Sequence, residues 1–267
     1  MQNIKIVASD LDGTLLSPEH MLRPFTKKTI KSLKNKGVSF IFATGRHHID
    51  VAQIRNGLGI SSYMITSNGA RIHNTDGELI MSTSMEPEIA RDLYNIVYDI
   101  PEILTNIYLD DDWYINRESP EQAQFFQESV FNYKLYHPAT LTTSGVSKIY
   151  FTCDKHEILV TLEDKINQRW GNKVNVTFSL PTVLEVMDGQ VSKGEALKNI
   201  LKLIGGDLNE CIAFGDGMND YQMLTLSGKG CIMKNAHYKL KEALPDTEVI
   251  GSNAEEAVAH YLCKLFE

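Results

Sequence analysis

The chain has 267 residues, 43% of them apolar and 22% charged, which is enough for one large domain or two smaller ones with true cores. No compositional bias points to a disordered or fibrous protein. The formal net charge of -8 gives no general attraction to nucleic acid or anionic membranes, so a phosphate site would be a local exception on an acidic surface.

In chain order, Ile4 to Ser9 is a compact apolar run ending in acidic residues, as a buried parallel strand does when it opens into a site. A helix is expected from Pro24, a residue suited to a first turn, to a C-cap at Gly37. Val38 to Ala43 is a second apolar strand running into Thr44-Gly45-Arg46, followed by a helix from about His47 to Leu58 and a strand from Tyr63 to Ser67. This alternation is the rhythm of a parallel α/β sheet.

The rhythm then changes. Ala70 to Ile72 and Glu78 to Met81 flank the hairpin signal Asn74-Thr75-Asp76-Gly77. Ile89 to Ile100 reads as a helix, Asn106 to Leu109 and Trp113 to Asn116 flank the turn Asp110-Asp111-Asp112, and another helix follows Pro120. Lys148 to Cys153 is a strand, His156 to Trp170 an amphipathic helix, and Val174 to Ser179 and Leu184 to Met187 are strands. Beyond Ser192 the first rhythm returns, with a helix from Lys193 to Ile204, a strand from Cys211 to Gly215, a helix from Asp220 to Leu226, a strand from Gly230 to Met233, and a last helix from about Ala254 to Phe266. The expected architecture is a Rossmann-like, doubly wound parallel sheet, 1–82 and 187–267, interrupted by an α+β domain at 83–186.

The four cysteines, Cys153, Cys211, Cys231 and Cys263, form no CxxC pair, so reduced thiols in a cytoplasmic protein are expected. The first residues are too short and too acidic for a signal peptide, and no apolar run approaches the ~20 residues of a membrane span.

Four clusters fall at strand ends or helix starts. Asp10-Leu11-Asp12-Gly13-Thr14 follows the first strand. Its two carboxylates, at i and i+2 beside a glycine turn, can divide labour, one binding metal and attacking phosphorus while the other handles a proton. The bland alternative is an acidic turn. Thr44-Gly45-Arg46 offers a hydroxyl and backbone N–H groups to an anion, although alone it is an ordinary helix entry. Lys193, opening a helix in Ser192-Lys193-Gly194, can hold a phosphate oxygen, although most such lysines are solvated. Gly215-Asp216-Gly217-Met218-Asn219-Asp220 brings two more carboxylates of the kind magnesium takes together with water and a substrate phosphate. The second and third clusters are weak alone. All four on one edge of one sheet are specific.

ASDLDGTL, FATGR, VSKGEAL and IAFGDGMND, in that order, resemble the four motifs of the haloacid dehalogenase superfamily, and more narrowly those of its Cof-type phosphatases, whose large cap is inserted between the second and third motifs. The resemblance implies a magnesium-dependent phosphomonoester hydrolase with a C2 cap that confers substrate specificity. It implies that Asp10 is the nucleophile and a metal ligand, that Asp12 is the general acid and base with its backbone carbonyl on the metal, and that Asp216 completes the metal ligands. Phosphate would be held by the Leu11 backbone, Thr44, Gly45, Lys193 and Asn219, with Asp220 in support. FATGRHH, YMITSNGAR and VSKIYFTCD resemble most the pyridoxal phosphate phosphatases of this type, and a sugar-phosphate phosphatase is the alternative. The implied partner is a small phosphorylated metabolite, with no nucleic acid, membrane or obligate protein partner.

Other residues have plainer readings. His47 and His48 are adjacent on a helix and point about 100° apart, so they are no chelating pair, and at most His47 faces substrate. Asp110 to Asp112 reads as a solvated turn. Trp113, Tyr114, Phe125 and Phe126 read as core of the inserted domain. Asn68-Gly69, at the end of the third strand, stands close enough to touch substrate. A receiver-like phospho-signalling module or a non-catalytic phosphometabolite sensor is the competing class. The large insertion and the retention of both Asp10 and Asp12 argue against these.

Overall fold

The computed structural model describes residues 4–120, 122 and 131–267. The first part of the chain forms β1 (Ile6–Ser9), α1 (Pro24–Asn35), β2 (Ser39–Ala43), α2 (His48–Leu58) and β3 (Tyr63–Thr66). Every residue of β1 is buried, as a strand covered on both faces requires. Pro24 opens α1 as its fixed φ allows, and Gly37, at φ +78°, turns the chain back toward β2. The hairpin β4 (Arg71–His73) and β5 (Leu79–Ser82) adds antiparallel strands to the same sheet.

The insertion contains α3 (Pro87–Asn95), β6 (Leu104–Leu109), β7 (Asp112–Ile115), β8 (Tyr133–Leu135), β9 (Val146–Thr152), α4 (His156–Trp170), β10 (Val174–Leu180) and β11 (Val183–Asp188). Here α3 stops short of the expected Ile100. Pro101 disfavours helical backbone at the residue before it, and 96–99 form turns instead. The acidic turn is shorter than expected: Asp110 carries it at φ +47°, and Asp112 already belongs to β7. The helix expected after Pro120, with Phe125 and Phe126, lies outside the described residues.

The chain then returns through α5 (Lys193–Ile204), β12 (Cys211–Gly215), α6 (Tyr221–Leu226), β13 (Lys229–Met233), α7 (Tyr238–Ala243), β14 (Glu248–Ile250) and α8 (Ala257–Phe266). The last helix starts later than expected because Ser252 and Glu255 close a separate short turn ahead of it. The eight-stranded sheet has the order β14-β13-β12-β1-β2-β3-β4-β5, and the six-stranded sheet the order β10-β11-β9-β6-β7-β8. In the first, β14 through β3 are parallel. One apolar core surrounds this sheet and another fills the six-stranded one, with Met85, Leu93, Tyr94, Phe151 and Leu184 in the latter. No helix among the described residues is long and apolar enough to cross a membrane.

Candidate active site

Successive strands leave β1 in one direction through β2 and β3, and the later strands build the other direction through β12, β13 and β14. The order therefore reverses between β1 and β12, and ligands of such sheets sit outside the carboxyl ends of the strands at that reversal. Asp10 directly follows β1, and Asp216 directly follows β12. The Asp10 backbone N–H donates to Phe214 O at 3.0 Å, which ties the two loops together.

Gly13 sits at φ +74°, and a Cβ there would stand 2.2 Å from Asp216 Oδ2. Only glycine permits both the turn and that approach. The neighbouring Thr14 hydroxyl donates to Asp216 Oδ1 at 2.6 Å. Lys193 is almost completely buried, and its ammonium bridges Asp10 Oδ1 at 2.6 Å and Asp220 Oδ1 at 2.7 Å. Asp220 Oδ2 accepts the backbone N–H groups of Asp216 and Gly217 at 2.9 and 3.0 Å. Asp220 thus anchors both the loop and the lysine.

Oxygen atoms of Asp10, Asp216 and Asp220 all lie within 4.8 Å of one another. Burial first, and then the neighbouring carboxylates, push the Asp10 carboxyl well above its usual range, although Lys193 opposes this. Burial and Asp220 likewise raise Asp216 to about 7. Three carboxylates cluster beside one ammonium that bonds Asp10 and Asp220, and a cation among them would relieve the repulsion that raises Asp10 and Asp216. An oxygen-only donor set of this kind fits a hard divalent cation such as magnesium. Asp10 and Asp216 have the freer oxygens, since Asp220 is already engaged by three donors.

Thr44 follows β2 on the same edge. Its hydroxyl oxygen accepts the Arg46 backbone N–H at 3.1 Å, so its own hydrogen remains available to an anion. Arg46 grips Asp12 with two parallel bonds, Nε to Oδ2 at 2.7 Å and Nη2 to Oδ1 at 2.6 Å, and His20 Nδ1 stands 3.0 Å from the same carboxylate. Burial works against the charge, but the Arg46 and His20 contacts prevail and hold Asp12 below the usual carboxylate range. In this arrangement Asp12 is an ionised carboxylate. Clamped in this way it is a weak base, and it can take up or donate a proton only after loosening from Arg46.

A cavity of about 500 Å³ lies over these groups. Asp10, Asp12, Thr44, Gly45, Asp216 and Asn219 form its floor, and the insertion supplies its roof through Tyr108, Lys148, Tyr150, Thr152, Val183 and Glu185. The roof follows from strand alternation: Lys148, Tyr150 and Thr152 face the cavity while Ile149, Phe151 and Cys153 face the core of the insertion. Lys148 donates to the Gly45 carbonyl at 2.5 Å and to Glu185 Oε1 at 2.7 Å, and its ammonium lies 4.9 Å and 4.7 Å from the ring centres of Tyr108 and Tyr150. A Cβ on Gly45 would come within 3.3 Å of Asn68, Glu185 and Lys148, so the glycine lets the roof descend.

The structure brings Asp10, Asp12, Thr44, Gly45, Asp216 and Asn219 to one cavity, with Lys193 and Asp220 packed behind Asp10 and Leu11 fully buried beneath. Asn68 sits behind Gly45, bonded to Asn219 and Glu185. Gly69 and His47 do not line the cavity. At φ +109°, Gly69 packs its Cα against the Ser192 carbonyl, where a Cβ would stand 2.3 Å away. His47 caps α2 through Ile49 N–H, contacts Asp110 O through Nε2 at 2.9 Å and stacks on Phe131. Arg46, Lys148 and Glu185 carry no role in the sequence reading. The alternating polar face of Lys148-Ile149-Tyr150-Phe151-Thr152 was the available signal.

His47 also carries a stability prediction. Burial, and then His48 beside it, push its pKa down to about 3. The unfolded chain therefore binds the proton first, and stability that is complete above the unfolded value of ~6.5 is lost as pH falls toward the folded one. Urea unfolding is expected to show a loss of about 2 kcal/mol from this group between pH 7 and pH 5. His47→Asn, which keeps a capping acceptor, should flatten that slope; an unchanged slope would contradict the assignment.

A family model described as haloacid dehalogenase-like hydrolase matches residues 7–262. A Buchnera aphidicola (subsp. Schizaphis graminum) protein, named no more closely than as a phosphatase, is 46% identical over 262 residues, 98% of this chain and 96% of that protein. The HMP-PP phosphatase of Cronobacter sakazakii is 36% identical over 258 residues, covering 97% and 94% of the two chains. Among solved structures, a haloacid dehalogenase-like hydrolase from B. subtilis superposes with a TM-score of 0.87 at 25% identity, over 98% of this chain and 100% of the other.

Proposed function

We infer that this chain, which belongs to the haloacid dehalogenase-like hydrolases and is a phosphatase of small phosphorylated metabolites, works with magnesium through an aspartyl-phosphate on Asp10. The observation that carries this reading is the Asp10 carboxylate, standing at the sheet reversal, open to the cavity, bonded to Lys193 at 2.6 Å and clustered with Asp216.

A phosphate dianion repels an incoming carboxylate, so positioning and charge neutralisation supply most of the catalysis. Asp10 and Asp216, with the Asp12 backbone carbonyl, are the proposed magnesium ligands, and the bound ion supplies positive charge to the phosphate oxygens. Lys193, the Thr44 hydroxyl, the Leu11 and Gly45 backbone and the Asn219 amide orient the phosphate. Asp10 attacks phosphorus in line with the ester oxygen. Asp12, on leaving Arg46 and taking up a proton, donates it to the departing alkoxide, and the resulting carboxylate then deprotonates the water that hydrolyses the aspartyl-phosphate. Asp12→Asn is expected to lower kcat about a hundredfold or more while metal affinity changes little. Near wild-type turnover would contradict the acid and base role.

For the substrate, we take pyridoxal phosphate as the first reading, supported by the roof tyrosines Tyr108 and Tyr150, which line the cavity beside the Lys148 ammonium. The compound named in the HMP-PP phosphatase relative is the second, favoured by 36% identity along almost the whole chain. Phosphate release with and without magnesium, over pyridoxal phosphate, HMP-PP, sugar phosphates and nucleotides, tests both. A tenfold or greater lead in kcat/KM for one compound identifies it, and a flat profile would refute a dedicated substrate.

A further inference from the structure

We propose that Glu185 of the inserted sheet is a positioning residue that fixes the amide of Asn219 for phosphate, acting through Asn68. The inference rests on the reading above that Asn219 holds phosphate, and adds to it a part played by the roof.

Glu185 is buried in β11 and, as a carboxylate, can only accept hydrogen bonds. Its Oε1 takes the Lys148 ammonium at 2.7 Å, and its Oε2 takes Asn68 Nδ2, also at 2.7 Å. An amide has one donor end and one acceptor end. With the Asn68 donor end committed to Glu185, its Oδ1 faces the other way, and there it accepts Asn219 Nδ2 at 3.1 Å. Asn219 in turn must present its NH₂ group to this side, and the second hydrogen of that group is the one an anion in the cavity can use. Polarity thus passes from the insertion to the floor in a fixed sense, carboxylate to amide to amide.

The backbone supports this arrangement. Asn68 sits at φ 56° and ψ 22°, a left-handed conformation that asparagine and aspartate tolerate best among residues with side chains. The residue is 1% exposed, so no solvent competes for either end of the amide. Gly45 leaves room for the relay: Asn68 Oδ1, Glu185 Oε1 and Lys148 Nζ all lie within 3.3 Å of where its Cβ would stand. The Glu185 contact to Asn68 joins the inserted sheet to the core, whereas the Asn68 contact to Asn219 lies within the core.

An isosteric swap tests the relay. Glu185→Gln removes the acceptor-only end and lets the Asn68 amide turn. Asn68→Asp sets two carboxylates against each other. Combined, E185Q/N68D restores the sense of the relay. The amide introduced at position 185 donates to the carboxylate introduced at position 68, which also accepts from Asn219, and one negative charge stays near Lys148. The measurement is the Kd of inorganic phosphate by calorimetry in magnesium chloride, with the intact protein. Each single variant should weaken binding about tenfold, and the pair should regain at least a threefold advantage over the worse single variant. A pair no better than that variant, or E185Q within twofold of wild type, overturns the relay. Should E185Q fail to fold, N68D against the pair decides alone. A wild-type chain that binds no phosphate would sink the phosphatase reading and this inference together, whereas binding without rescue sinks only the inference.

Discussion

Asp10→Asn is expected to lose about ten-thousand-fold or more in kcat, with the fold intact. A carboxamide oxygen is too weak a nucleophile to displace an alkoxide from phosphorus, and loss of a nucleophile costs losses of this order where the other groups act as a unit with it. The variant should not lose stability in metal-free buffer. Burial and the carboxylates of Asp220 and Asp216 already disfavour charge at Asp10, so a neutral isostere relieves repulsion while Lys193 keeps Asp220. Thermal melts beside single-turnover kinetics check both halves. Residual activity within a hundredfold of wild type would assign the nucleophile elsewhere.

Lys193→Met should lower turnover about a thousandfold and weaken the fold as well. The ammonium lies between Asp10 and Asp220 with almost no solvent access, and its removal leaves Asp10, Asp216 and Asp220 clustered without it. Breaking a buried pair on one side costs about 3–5 kcal/mol. Magnesium bound as proposed would return part of this, because it would bring positive charge to the same oxygens. The Tm gain on going from EDTA to magnesium chloride should therefore be larger in Lys193→Met than in wild type. An equal gain in both would mean that the cation site and the lysine do not share these carboxylates.

Much of this arrangement was legible in the sequence where local chemistry dominates. Cys211–Gly215 and Lys193–Ile204 fall where the apolar runs and the Ser192 cap place them. The acidic clusters read correctly as strand-end loops because glycines at 13 and 217 leave few alternatives. Two three-residue edge strands were not legible. Tyr133–Leu135 and Glu248–Ile250 are three residues each and partly or largely exposed, too brief for any period to show. The partner of Asp12 was hidden for another reason. Arg46 is 34 residues away, and only the pairing of β1 with β2 brings its guanidinium to that carboxylate. The relay from Glu185 to Asn219 joins three distant segments, and no local pattern encodes it. His47, adjacent in sequence to the Thr44-Gly45-Arg46 cluster, has its ring engaged in capping and stacking, contacts that no local pattern announces.

Chemical mapping of the covalent intermediate tests the central claim most directly. Enzyme mixed with a turned-over phosphomonoester and magnesium, quenched in acid, reduced with borohydride and digested, should carry the reduction product of an acyl phosphate at residue 10. A modification at Asp12, a phosphorylated histidine, or an unmodified residue 10 during a pre-steady-state burst would contradict it.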